Sequence, residues 1–419
     1  MNEQLLQYIW KFRLYHSTEL YTTCSKKINT IYQGLHNTNQ GPDFLNARIK
    51  IGESLWVGHV ELHVKSSGWE LHKHSGDENY NNVILHVVWL NDKELNLPFP
   101  TLEIQSYIPK VLLQNYSTWM KKSHFIACEN SISLVDKLVV SKCKERMLIE
   151  RLQFKSQYVA SLVFDSKGDW EEVCWWVLAK CFGGKINGYD FEKIARSIPF
   201  KLLLKNKHSL KTIESIIFGQ SGLLAKDWND SYPQELKREY LFYRNKYKLK
   251  SPKVFLKFLR MRPPEFPTIK LALLSSFIFH KGRLFQFVKK LAADEMNKKD
   301  MLISASEYWH YHYCFDDKSK FQIKSLGKSS VQNILINFFS VVIYTYGYYN
   351  NDEVKMNQAV TILTKLKAED NTVVNKFRKL NIPIENAFDS QAILQLYNSY
   401  CTQKKCLECS IGFALLNKK

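Results

Sequence analysis

Residues 58–74, GHVELHVKSSGWELHKH, hold four histidines, two glutamates and two lysines. The first half alternates with a period of two, as a strand does, so successive side chains point to opposite faces. His59, Glu61, His63 and Lys65 then share one face, and Val60, Leu62 and Val64 the other. A row of ionisable groups inside a domain is costly unless it is paired or bound to metal. An edge strand facing water would remove that cost, and that reading stays open at this point. Imidazole and carboxylate together suit either metal binding or proton transfer near neutral pH.

Upstream, Asp43 follows a turn-fixing proline in the sequence GPDF. Residues 44–51 and 55–65 both alternate and are separated by a short glycine-containing turn, so they are expected to pair as a hairpin. That pairing carries Asp43 toward the Glu61 to Lys65 end of its partner. Two carboxylates on adjacent strands form an oxygen site for Mg²⁺ or Mn²⁺, which bind few side chains and keep waters or substrate phosphate. Downstream, WELHKH adds His72 and His74, and His86 sits in an apolar run. His86 reads either as a hydrogen-bonded core residue or as part of a histidine metal set with His59, His63, His72 and His74. The expected catalytic residues are Asp43, Glu61, His63 and Lys65. The expected metal ligands are Asp43, Glu61, His63, His72 and His74.

A second cluster lies at the end of the chain. YCTQKKCLECSIG places Cys401, Cys406 and Cys409 at C-x₄-C-x₂-C spacing. C-x₂-C lets two thiolates reach one metal, and soft sulfur ligands select zinc or an iron–sulfur cluster. Buried or redox-active thiols are the alternative. A fourth ligand is missing locally, and Cys314, His310 and His312 are candidates. Lys404 and Lys405 are expected to lower the thiol pKa values. The remaining cysteines are scattered and read as small buried hydrophobes, with no disulfide framework.

The elements that position these groups divide the 419 residues in two. Residues 2–13 have helical spacing. VILHVVWL, residues 83–90, is a near-continuous apolar run and reads as a central strand buried on both faces. Residues 101–108 read as a further strand. From about residue 110 the period becomes helical: 141–163, 169–182, 190–198, 210–219, 233–247, 267–279, 333–349, 354–367 and 390–401 are the expected helices. CFGGKING, residues 181–188, reads as a helix stop and turn. The expected class is therefore α+β: a mixed β-sheet domain over 1–125, then a mostly helical domain over 126–419.

Charge follows the same division. The whole chain carries +19. Residues 1–110 hold 10 Lys/Arg against 11 Asp/Glu, and the remainder 49 against 29. The basic part suits a polyanion such as nucleic acid, because cations that neutralise phosphates release counterions. A generally lysine-rich surface is the other explanation. Seven of the twelve histidines fall in the neutral part, which is where chemistry is expected. No membrane-length apolar run is present, and the amphipathic N-terminus lacks a signal-peptide cleavage pattern. No membrane partner and a cytoplasmic location are expected.

The order Asp43, Glu61, His63, Lys65, followed by a mixed stretch and a buried strand, resembles the core of PD-(D/E)XK nucleases. GPDF supplies Pro42 and Asp43, and ELHVK supplies Glu61. Histidine stands where that family has its lysine, so either His63 replaces it or Lys65 reaches in from the same face. The resemblance implies a metal-bound Asp43 and Glu61, with His63 or Lys65 orienting or activating water. A second resemblance covers nearly the whole chain. YIWKFRLY, NQGPDFLNARIKIGESLWVGHVELHVK, FGGKING, FGQSG and RMRPPEFPTIKLA are similar to a bacterial family that is known only as a domain of unknown function. The leading expectation is a metal-dependent nucleic-acid phosphodiesterase, with DNA expected over RNA. The alternatives are a non-catalytic nucleic-acid-binding protein, a histidine-metal hydrolase acting on small molecules, and an interaction protein whose charged strand faces water.

Overall fold

A computed structural model describes residues 1–16, 18–121, 124–293 and 301–417. Two compact units emerge: residues 1–143 with 396–419, and residues 144–395. The expected division at residue 125 is thus redrawn, because the chain end carrying the cysteine cluster belongs with the first unit. The class is α+β, a mixed sheet in the first unit and helices in the second.

In the first unit, helix α1 (Glu3–Lys11) starts where the Asn2 side chain accepts from the Leu5 N–H at 2.9 Å. Its Leu5, Leu6, Ile9 and Trp10 are buried. Seven strands follow: β1 (Leu20–Tyr21), β2 (Lys27–Tyr32), β3 (Leu35–His36), β4 (Phe44–Ile51), β5 (Ser54–Lys65), β6 (Val83–Leu90) and β7 (Thr101–Glu103). The sheet order is β1-β2-β4-β5-β6-β7, with β3 also pairing β4. β4 and β5 form the expected antiparallel hairpin, whereas β5–β6 and β6–β7 are parallel. Parallel neighbours need a crossover, and here it runs through residues 66–82, including the short helix α2 (Gly68–Leu71). β6 lies between two strands with Val83 through Val88 all buried, as its apolar run requires. The expected strand at 101–108 is shorter, because residues 105–107 turn into a 3₁₀ helix.

Helix α3 (Lys110–Lys121) follows the sheet, and α4 (Lys137–Asp165) carries the chain across the boundary between the units. The second unit continues with α5 (Trp170–Arg196), capped by Asp169, whose side chain accepts from the Glu171 and Glu172 N–H groups. The expected stop at CFGGKING is a kink instead: Gly184 leaves helical geometry at φ 61°, yet the helix resumes. The Asn187 side chain holds the resumed turn by bonding both the Lys257 N–H and the Lys257 carbonyl. Among the described residues, no helix is long and apolar enough to cross a membrane.

Candidate metal centre

The site is assembled where β4, β5 and the β5–β6 crossover meet. Phe44 pairs with Val60, so Asp43 stands beside Glu61 at the start of the hairpin. The two residues clasp each other. The Asp43 N–H donates to Glu61 Oε2 at 3.0 Å, and the Leu62 N–H donates to Asp43 Oδ2 at 3.1 Å. Gln7 of α1 donates to Asp43 Oδ1 at 2.7 Å. These bonds leave Glu61 Oε1 facing the histidines. It lies 3.4 Å from His74 Nε2 and 3.8 Å from His63 Nε2.

His63 shares its face of β5 with Glu61, two residues on, and is 2% exposed. His86 is paired opposite Glu61 on β6. Its Nε2 is 2.9 Å from His63 Nδ1. The other His63 nitrogen, Nε2, lies 3.2 Å from His72 Nδ1. Close packing against the crossover needs Gly68: a Cβ there would come within 2.8 Å of the His63 ring. After α2, Lys73 adopts the left-handed conformation at φ 59°, which reverses the chain between His72 and His74. His74 then stacks on Tyr80 at 3.9 Å between ring centroids, and Trp69 packs edge-on against His63, His74 and His86. Trp69 is itself fixed by a 2.9 Å bond from Nε1 to Ser75.

His63, His72 and His74 each offer a ligand atom within 4.8 Å of the others. The Glu61 oxygen Oε1 lies close to two of them, His63 and His74. Metal bonds of 2.0–2.1 Å at tetrahedral angles put ligand atoms about 3.3 Å apart. The contacts of 3.2, 3.4 and 3.8 Å are close to that edge. The His74 Nε2 and His86 Nδ1 atoms are buried without a hydrogen-bond partner. An orphaned buried nitrogen is costly, and for His74 a cation at this point would remove the cost. Asp43 adds a second carboxylate beside the set.

Electrostatics are consistent with a cation. Burial, then mutual repulsion, raises Glu61 well above the carboxylate range, and burial raises Asp43. Burial, followed by repulsion from His86, His74 and His72, lowers His63 to about 3. Burial and His74 lower His86 to about 4, and burial lowers His74. The buried imidazoles are therefore neutral, with lone pairs available to a metal. Tyr80 is pushed up to about 12 by burial, then by Glu61 and Asp43.

The expected site residues do not all converge. Asp43, Glu61, His63, His72 and His74 come together. The Lys65 side chain is 61% exposed and its ammonium lies 3.7 Å from Asp92. His59 turns to the hairpin, where Nδ1 accepts from the Asn46 N–H at 3.2 Å. Cys314, His310 and His312 lie in the second unit, not with the terminal cysteines. His312 is held there by the Tyr308 carbonyl at 2.9 Å and by Asp230 at 3.5 Å. The expected lowering of the thiol pKa values does not occur. Burial dominates and raises Cys401 strongly and Cys406 to about 11, with Lys404 only partly offsetting the latter.

Reading the sequence did not find Glu3, Gln7, Trp69 or Tyr80. Glu3 adds negative charge that acts on both Asp43 and Glu61. Its available signal was the spacing of Glu3 and Gln7, one turn apart on an amphipathic helix.

Fold and site together define an α+β protein with a histidine and carboxylate cluster built on a mixed sheet. The chain belongs to the family described as "Protein of unknown function (DUF2851)", whose model matches residues 3–372. No curated protein and no solved structure matches it.

Proposed function

We propose that the protein is a metal-dependent phosphodiesterase that cleaves nucleic acid. The observation that carries the reading is the convergence of Glu61 Oε1, His63 Nε2 and His74 Nε2, with His72 Nδ1 against His63, beside Asp43. The frame supports it by resemblance. An antiparallel hairpin bearing Asp43 and Glu61, then a crossover to a buried strand, follow the order of a PD-(D/E)XK core. Within that order His63 takes the lysine position. Its low pKa and its two ring contacts suit a ligand rather than a base. Three imidazoles beside carboxylate suit Mn²⁺, Fe²⁺ or Zn²⁺ better than Mg²⁺.

The bound metal would supply charge stabilisation at the phosphorus oxygens and a water of lowered pKa. Gln7 and the Leu62 N–H hold Asp43 in place toward the site. His72 is the exposed ring of the cluster and marks the side from which substrate would enter. Nucleic acid is the favoured substrate because the chain outside residues 1–110 is strongly basic. Within the second unit, a cleft of about 520 Å³ collects Lys185, Arg260, Arg262 and Lys270, side chains suited to phosphates.

The test uses labelled single- and double-stranded DNA and RNA with Mn²⁺, with and without EDTA. Cleavage is expected, with DNA preferred. EDTA, Glu61→Gln and His74→Ala should each reduce it by at least about 100-fold, while the variants stay folded by circular dichroism. Cleavage that survives both substitutions would contradict the reading. Binding that weakens with salt, without cleavage, would indicate a nucleic-acid-binding protein instead. The three-imidazole set also favours a second reading, a hydrolase of a small phosphate ester or amide. Turnover of such a substrate, with oligonucleotides untouched, would select it.

A further inference from the structure

We infer that the two cavities flanking the Gly184 kink form one binding site for a nucleoside phosphate, with the base in an apolar chamber and the phosphate in a cationic one. The site lies within the second unit. It rests on the phosphate-binding reading of the cationic cleft given above, and not on hydrolysis at the histidines.

Two stretches of sequence meet here, CFGGKING and the proline-fixed RMRPPEFP. Gly184 leaves helical geometry at φ 61°, and a Cβ there would meet nothing within 4 Å, so the kink in α5 adds room rather than packing. A cavity of about 520 Å³ lies on each side, inside the range of roughly 300–1,000 Å³ typical of small-molecule sites. Cys181, Gly184, Lys185 and Asn333 line both, which makes the two contiguous. Asn187 pins the second stretch. Its side chain bonds the Lys257 N–H at 2.8 Å and the Lys257 carbonyl at 3.0 Å, which holds the segment leading to Arg260 and Arg262 against the kinked helix. Arg260 itself sits at φ 61°, a conformation that residues other than glycine seldom hold.

The cationic chamber is lined by Lys185, Arg260, Arg262 and Lys270, with Glu265 as its acidic group. Glu265 is taken by Lys270 at 2.9 Å. Lys185, Arg260 and Arg262 have no acidic partner among the described residues. Three like charges around one cavity repel, and a phosphate between them would turn that repulsion into attraction. Arginine also matches phosphate oxygens two at a time.

The other chamber is walled by Phe154, Val159, Val177 and Val341. Of its cations, Lys180 is taken by Glu192 at 3.2 Å and by the Tyr158 ring at 3.6 Å. Lys155 is placed differently. Its ammonium donates to Asn337 Oδ1 and to Gln391 Oε1, both at 2.8 Å. Both partners are neutral amides, and an ammonium has three protons to donate. The third finds no acceptor among the described residues. Burial, then Arg151, lowers Lys155 to about 7, with Glu369 only partly offsetting them. An apolar chamber with one unmatched cationic donor suits a flat ring with an acceptor edge. Guanine presents two adjacent acceptors, O6 and N7, whereas adenine sets an amino group beside N7. Guanine is therefore the favoured base.

The test is calorimetric titration of the full chain in EDTA with GMP, AMP, guanosine and inorganic phosphate. GMP is expected to bind at least about 10-fold more tightly than guanosine or phosphate, and about 10-fold more tightly than AMP. Arg260→Ala combined with Arg262→Ala, both exposed positions, should weaken GMP at least about 10-fold. Lys155→Met should remove the preference over AMP. Lys201→Ala, an exposed lysine elsewhere on the unit, should bind GMP as the wild type does. Glu61→Gln should also bind it normally, which separates this site from hydrolysis at the histidines. A wild-type chain that binds no GMP, or GMP binding unchanged in the double arginine variant, overturns the site. GMP binding lost in Glu61→Gln would place the nucleotide at the histidines and overturn it as well. Should Lys155→Met fail to fold, the double arginine variant decides.

Discussion

The histidine cluster shows how one residue type acquires different roles from its surroundings. His63 and His86 face each other in the sheet and are fully buried, whereas His72 stays exposed. Burial is the largest cause of the lowered His63 and His86 values, about 3 and about 4 against an ordinary 6.5. In the unfolded chain both would take up a proton near 6.5, and in the fold they resist it. Their contribution to stability is therefore present above pH 6.5 and is lost as pH falls toward 4. Metal-free protein in EDTA is expected to lose stability across that window, as read from urea midpoints at pH 7 and pH 4.5. His86→Gln should flatten the change, at a cost of about 1–3 kcal/mol at pH 7 from the unpaired His63 nitrogen. An unchanged pH slope in the variant would show that His86 is not the titrating group.

At the scale of elements, the hairpin and the central strand were legible because burial dictates their patterns. Ala47, Ile49 and Ile51 alternate inward on β4, and β6 is near-continuously apolar because it has a parallel neighbour on each side. The edge of the sheet was not legible. β1 and β3 are two residues long, and β2, KINTIY, buries only Ile28 and Thr30. Such strands are held by pairing, β2 and β3 with β4 and β1 with β2, rather than by their own pattern. The terminal helix Ser410–Leu416 was missed for a similar reason: it is short and depends on contacts with α3 and the 3₁₀ turn at 132–134. Asp43 and Glu61 were found from hairpin register. Their partner Gln7 was not, because docking of α1 on β5 is tertiary. Gly68 carries the element-scale prediction. Gly68→Ala places a methyl against the His63 ring, which must shift and disturb its contacts with His72 and His86. Metal affinity should fall about 10- to 100-fold with little change in helix or strand content. Equal affinity by competition with a fluorescent chelator would mean the crossover does not hold the ring.

For the whole molecule, the histidine cluster and the basic charge fall in different parts of the chain. Imidazole and carboxylate together are a ligand set suited to Mn²⁺. The basic excess outside residues 1–110 is a separate property, and under the proposed function its attraction to phosphates would weaken with salt. The histidine cluster in the first unit and the basic excess outside residues 1–110 were both visible in the sequence as the opposed distributions of histidine and lysine.

The most direct measurement is Mn²⁺ binding to the full-length chain by isothermal titration calorimetry, wild type beside His63→Ala and His74→Ala. A single stoichiometric Mn²⁺ site in the wild type, lost in both variants, is the predicted result. Mn²⁺ binding unaffected by either substitution, or a wild-type chain that binds none, would contradict the metal centre on which the proposed hydrolysis rests.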